Sequence, residues 1–85
     1  MKSFEYKITD ETGLHARPAG QLVKAASAYS SEINLFSGEK SASAKKLFAL
    51  MALGIKCGDT VRITVSGDDE YSACCALEKF FKENL

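Results

Sequence analysis

Apolar and polar residues alternate along three stretches of the chain and fall into helical stripes along three others. Phe4, Tyr6 and Ile8 are separated by Glu5 and Lys7, the period of two expected of a strand with one wet face, and Asp10-Glu11-Thr12-Gly13 ends it. From about Ala16 the period changes: Ala19, Leu22, Val23 and Ala26 lie three or four apart, and Pro18 sits in the first turn, where its missing N–H costs nothing. Ile33 and Leu35 alternate again before Ser37-Gly38-Glu39-Lys40, a hairpin-turn composition, and Ser41-Ala42-Ser43 supplies a short return strand.

Leu47, Leu50 and Met51 form a brief helical stripe ending at Gly54, and Lys56-Cys57-Gly58-Asp59 makes a turn. Val61, Ile63 and Val65 face one way while Thr60, Arg62 and Thr64 face the other, giving the clearest strand. Ser66-Gly67-Asp68-Asp69 offers a cap for a last helix. There Ala73, Leu77 and Phe80, with Cys74, Cys75 and Phe81 alongside, are expected to pack inward, and Glu70, Glu78, Lys79, Lys82 and Glu83 face water. The predicted order is βαββαβα. Alternating rather than continuous hydrophobicity favours an antiparallel sheet with helices on one face and water on the other, an α+β two-layer fold.

At 85 residues the chain is expected to be a single domain over 1–85, large enough to bury a core without a disulfide or metal. Eleven Lys and Arg balance eleven Asp and Glu, which removes the basic excess that nucleic acids or anionic membranes require of a partner. No apolar run reaches the length of a membrane span and Met1-Lys2-Ser3-Phe4-Glu5 lacks the apolar core of a signal peptide, so a cytoplasmic location without membrane insertion is expected. The cysteines, an odd number with Cys74 and Cys75 vicinal, have neither bridge nor metal-ligand spacing and are expected to be reduced, with Cys57 exposed in its turn.

One histidine is present, His15, within Gly13-Leu14-His15-Ala16-Arg17-Pro18 at the junction of loop and helix. The first backbone N–H groups of a helix have no intrahelical acceptor, and the helix dipole favours an anion there. Arg17 offers a forked donor for phosphate oxygens, and Pro18 fixes the start of the helix and so the direction of its free amides. A neutral imidazole nitrogen is a competent nucleophile, so this grouping suits covalent phosphorylation of His15. A lone histidine at a helix start is, however, more often a cap or a surface residue. The absence of a second histidine or an evident base argues against an independent enzyme and for a relay.

Gly13-Leu14-His15-Ala16-Arg17-Pro18-Ala19 resembles the active-site signature of the HPr family, the histidine-containing phosphocarriers of the bacterial phosphoenolpyruvate:sugar phosphotransferase system. A second family-like stretch, Leu50-Met51-Ala52-Leu53-Gly54-Ile55-Lys56 followed by Gly58-Asp59, is in register with it without a gap. The resemblance implies an open-faced β-sandwich of four antiparallel strands and three helices. It further implies that His15 is phosphorylated on Nδ1 by Enzyme I at the expense of phosphoenolpyruvate and hands the group to a sugar-specific A component. Arg17 assists both transfers on this reading, and the helix start at Ala16, Arg17 and Pro18 holds the phosphoryl oxygens.

No cofactor or metal is implied, the docking is transient and protein–protein, and the chain is expected to be a monomer. Leu47, Phe48 and Met51 are the candidate docking residues, against the alternative that Leu47 and Met51 simply belong to the core, the two readings being evenly balanced for Met51. In Firmicute members a regulatory serine follows the lysine that opens the second helix. Here Lys46 stands at that position, so no regulatory serine is expected, and Lys45-Lys46 reads as a solvated charge pair. Three rival readings remain: a regulatory paralogue, a carrier in a non-sugar phosphorelay, and a thiol redox module built on Cys74-Cys75.

Overall fold

A computed structural model describes all residues from 1 to 85. Four strands and three helices follow one another as β1 (Lys2–Lys7), α1 (Ala16–Ser27), β2 (Glu32–Ser37), β3 (Lys40–Ser43), α2 (Leu47–Ala52), β4 (Thr60–Ser66) and α3 (Glu70–Asn84). The strands form one antiparallel sheet in the order β1-β4-β2-β3. The order and the elements agree with the alternation and the stripes in the sequence. The hairpin between β2 and β3 closes through Gly38-Glu39, with Ser37 opposite Lys40 and a φ of +62° at Gly38, a conformation open to glycine at no steric cost.

Placing β4 between β1 and β2 puts the most regular strand at the centre of the sheet. Val61, Ile63 and Val65 are fully buried, and so are Ile33 and Leu35 opposite Val65 and Ile63 on β2. The helices lay their apolar stripes on this face: Ala19, Leu22 and Ala26 from α1, Leu50 from α2, and Ala73, Leu77 and Phe81 from α3. Nineteen apolar residues form the resulting core, and no buried polar side chain lacks a hydrogen-bond partner. At roughly 1.5–3 kcal/mol for each large aliphatic or aromatic side chain removed from water, these residues supply the main force that holds helices to sheet.

Three expectations are corrected in the packing. Phe81, not Phe80, is the deep aromatic of α3: its ring meets Phe4 at 5.8 Å and Tyr6 at 5.6 Å, both edge-on, while Phe80 is half-buried at 6.0 Å from Phe81. Cys75 is exposed rather than packed, and Cys74 is half-buried. Thr64, on the outward side of β4, is buried because Ser3 of β1 and Asn34 of β2 flank it in the sheet.

Asp69 stands at the cap position of α3 without capping it. Its carboxylate turns back instead to accept from the Ser30 N–H at 2.9 Å, the Ser31 N–H at 3.0 Å and the Ser31 hydroxyl. Glu70 takes over near the helix start, where its Oε1 accepts from the Gly67 N–H at 3.3 Å. None of the helices is long and apolar enough to cross a membrane.

Candidate functional site

The loop from β1 to α1 is held on two sides before it reaches His15. Leu85, at the end of α3, accepts hydrogen bonds through its main-chain oxygen from the Thr9 N–H at 2.7 Å, the Asp10 N–H at 2.9 Å and the Thr9 hydroxyl at 3.0 Å. On the other side the Leu14 N–H donates to the Ile55 carbonyl at 3.1 Å, and the Leu14 side chain is buried in the core. Gly13 makes this approach possible. Its φ is +67°, and a Cβ there would lie 2.5 Å from the Ile55 carbonyl oxygen and 2.8 Å from Lys56 Cα. A side chain at this position is excluded both by conformation and by space.

His15 follows as the cap residue of α1 in an extended conformation, φ −97° and ψ −173°, and its carbonyl accepts the first helical bond from Ala19 at 2.9 Å. The imidazole is exposed and makes no capping hydrogen bond, which leaves both ring nitrogens available to an incoming group. Of the α1 amides that follow, those of Ala16 and Arg17 have no acceptor within the protein, and Pro18 has no N–H to offer. Two free donors therefore point out of the helix start beside the ring. The buried ring of Pro18 anchors this first turn against the body of the protein.

Arg17 is exposed, and the single ion pair of the structure lies elsewhere, between the N-terminal amine and Glu70 at 2.8 Å. Its guanidinium is thus uncommitted. A shallow polar pocket of about 250 Å³ collects His15, Arg17 and Pro18 together with Asp10, Gln21 and Asn84. The last three were not anticipated from sequence. Gln21 lies one helical turn beyond Arg17 and could have been read from that spacing. Asp10 and Asn84 are brought in by the main-chain bonds to Leu85 and carry no local signal. Asn84 Nδ2 donates to the Phe80 carbonyl at 3.0 Å, a bond that fixes the amide at the pocket edge.

Asp10 Oδ1 accepts from the Thr12 N–H at 2.9 Å and the Thr12 hydroxyl at 2.7 Å. The hydroxyl bond first, then the amide bond, and least of all the nearby imidazole hold the carboxyl below its usual range. A carboxylate is therefore a fixed member of the pocket at neutral pH. The arrangement combines an accessible imidazole, two free amides, a free guanidinium and one anion. It has the donors to hold the three oxygens of a phosphoryl group on a nitrogen nucleophile.

Among the residues expected to dock partners, Phe48 is 83% exposed on α2 and Met51 40% exposed, whereas Leu47 packs partly against the core. Met51 therefore lies outside the core. Lys46 caps α2 with its backbone alone and is exposed. Lys45 is not a solvated charge: it is half-buried, and its Nζ donates to the Tyr29 carbonyl just beyond α1 at 2.7 Å, tying the end of α1 to the start of α2.

The family described as "PTS HPr component phosphorylation site" matches residues 2–83 of this chain. The phosphocarrier protein HPr of Haemophilus influenzae is 49% identical over 73 residues, 86% of each chain. Among solved structures, the histidine-containing phosphocarrier protein of Mycoplasma superposes with a TM-score of 0.94 at 38% identity, covering 96% of this chain and 93% of the other. HPr from Thermoanaerobacter tengcongensis gives 0.93 at 38% identity, covering 98% and 93%. With the sheet order, the exposed histidine at the start of α1 and these similarities together, the chain belongs to the HPr family of phosphocarrier proteins of the phosphotransferase system.

Proposed function

We propose that His15 is the residue that carries the phosphoryl group, accepting it on Nδ1 from Enzyme I and passing it to a sugar-specific A component. The observation that carries this reading is the placement of an exposed imidazole, bonded to nothing, beside the two free amides of Ala16 and Arg17. On loading, the donor's bond to phosphorus breaks and the donor keeps the electron pair while the Nδ1 lone pair bonds to phosphorus. On unloading Nδ1 recovers its pair as the acceptor's nucleophile attacks. The protein's share of the work is positioning and charge: Ala16 and Arg17 amides and the Arg17 guanidinium bind oxygens that are most negative during transfer.

The pocket holds no second histidine, cysteine or hydroxyl nucleophile, and the one carboxylate in it, Asp10, is tied to Thr12, so the chain acts as a carrier whose chemistry is completed by the larger partners. Phe48 and Met51 on α2, beside α1, supply an apolar surface for transient docking, with Lys46 at its margin. Lys46 has no hydroxyl, so control by serine phosphorylation at this position is excluded chemically.

Incubation with Enzyme I and phosphoenolpyruvate tests the reading. The wild type gains one acid-labile phosphate and His15→Ala gains none; labelling that survives the substitution assigns the carrier to another residue. Arg17→Ala remains folded and is loaded more slowly. A subsequent chase with an A component discharges the wild type, and failure to discharge would remove the sugar-transport role while leaving the carrier role intact.

A further inference from the structure

Two charges of opposite sign share the pocket with His15, and the proposed carrier role uses only one of them. Arg17 arrives from the first turn of α1; Asp10 arrives from the preceding loop, its amide held by Leu85 and its carboxylate by Thr12. No ion pair joins the two, so Asp10 does not serve to orient Arg17 by direct contact. Nor does Asp10 cap α1: its Oδ1 accepts from Thr12, and no amide of α1 donates to either carboxylate oxygen. What remains is the field of a carboxylate held at fixed position beside the place where an anion is to bind. The other charged groups of the pocket are Arg17 and, when protonated, His15; Gln21 and Asn84 are neutral.

We propose that Asp10 is an electrostatic counterweight to Arg17, which raises the phosphoryl-transfer potential of the carrier by repelling the group held on His15. This rests on His15 as the phosphorylated residue. A carrier must bind its cargo well enough to receive it and weakly enough to surrender it. An anion socket made only of free amides and a guanidinium would stabilise the loaded state at the expense of onward transfer. Asp10 takes no covalent part: the Nδ1–P bond forms and breaks as described above, and the carboxylate shifts the balance between the two states. The Thr12 backbone N–H, which donates to Asp10 Oδ1 at 2.9 Å, holds the carboxylate in the pocket whatever side chain stands at position 12.

Asp10→Asn isolates the charge, since the asparagine Oδ1 still accepts from Thr12 and the turn survives. In the unphosphorylated protein at low salt, inorganic phosphate is titrated while the amide resonances of Ala16 and Arg17 are followed. Asp10→Asn is expected to bind about two- to threefold more tightly than wild type, the size of one screened charge at the surface. The gain should shrink near 1 M salt, where the screening length is about 3 Å. Thr12→Ala keeps the carboxylate and should change the affinity far less. Once loaded, Asp10→Asn should hold its phosphate longer and discharge more slowly to an acceptor. Equal phosphate affinity in wild type and Asp10→Asn, or a gain in Thr12→Ala as large as that in Asp10→Asn, overturns the proposal. If the wild type instead takes no phosphate from Enzyme I and phosphoenolpyruvate, the His15 reading falls, while the inorganic phosphate titration still decides the role of Asp10.

Discussion

Asp69 and Ser31, 38 residues apart, are joined by two hydrogen bonds, from the Ser31 hydroxyl and from its amide, to one carboxylate oxygen. The other oxygen takes the Ser30 amide, so a single side chain at the start of α3 fastens the whole entry to β2. The Ser31 hydroxyl bond foremost, then the Ser30 amide bond, hold the Asp69 carboxyl below its usual value of 3.8. A carboxyl depressed on folding contributes stability that is fully present above the unfolded value and is lost as pH falls through the folded one. Asp69→Asn is therefore expected to melt below wild type at neutral pH, and the gap should narrow as pH drops below about 4. Thermal denaturation followed by circular dichroism across pH 2–7 checks this, and a gap that stays constant would show that the charge of Asp69 plays no part.

That bond network also marks the limit of what the sequence discloses. The strands were legible because Val61, Ile63 and Val65, or Ile33 and Leu35, repeat at the pleat's own period, and the core half of the fold follows from that repetition. The site's centre was legible because His15, Arg17 and Pro18 are contiguous, so that local helix physics places them together. Asp10 and Asn84 are not contiguous, and they meet only because Leu85 folds back on Thr9 and Asp10. The choice between Phe80 and Phe81 was equally non-local. Either continues the stripe of Ala73 and Leu77, and the rings of Phe4 and Tyr6 on the edge strand β1 decide for Phe81. Asp69 looked like a helix cap because its residue type favours that role, but two serine amides elsewhere in the chain outbid the local one.

Gly13 links stability to the site. With φ at +67° and the Ile55 carbonyl only 2.5 Å from where a Cβ would stand, Gly13→Ala must move either the loop or the segment before β4. The expected loss is about 1–3 kcal/mol in urea unfolding, the cost of a strained backbone position. Phosphoryl acceptance should fall by more than the folded fraction explains, because His15 lies two residues beyond the displaced contact. Unchanged acceptance in the folded fraction would show that the loop absorbs the clash without moving the imidazole.

The three thiols should react in an order set by exposure. Burial first, then the charge of Glu78, pushes the Cys74 thiol above its usual value, so its thiolate is scarcer at neutral pH. Cys57 and Cys75 are exposed. Under limiting iodoacetamide, peptide mass spectrometry is expected to find Cys57 and Cys75 alkylated before Cys74. Early modification of Cys74 would mean that α3 opens on the timescale of the reaction.

Helix α2 offers the sharpest separation of folding from docking, because two of its residues occupy opposite environments only two positions apart. Leu50 is the one fully buried residue of this six-residue helix, and a helix so short has little stability of its own without the contact. Leu50→Ala should cost about 2–5 kcal/mol, the transfer of its side chain plus the cavity left beneath α2. Phe48 is 83% exposed and touches little that its removal could disturb, so Phe48→Ala should leave unfolding within about 0.5 kcal/mol of wild type. If Phe48 serves the docking surface, the same substitution should weaken association with Enzyme I by about 1 kcal/mol or more, while the phosphate affinity of the pocket stays unchanged. Denaturation curves and calorimetric titration on both variants read the two effects independently. A Phe48→Ala protein that binds Enzyme I as wild type does would move the interface away from α2, whatever Leu50→Ala does to the fold.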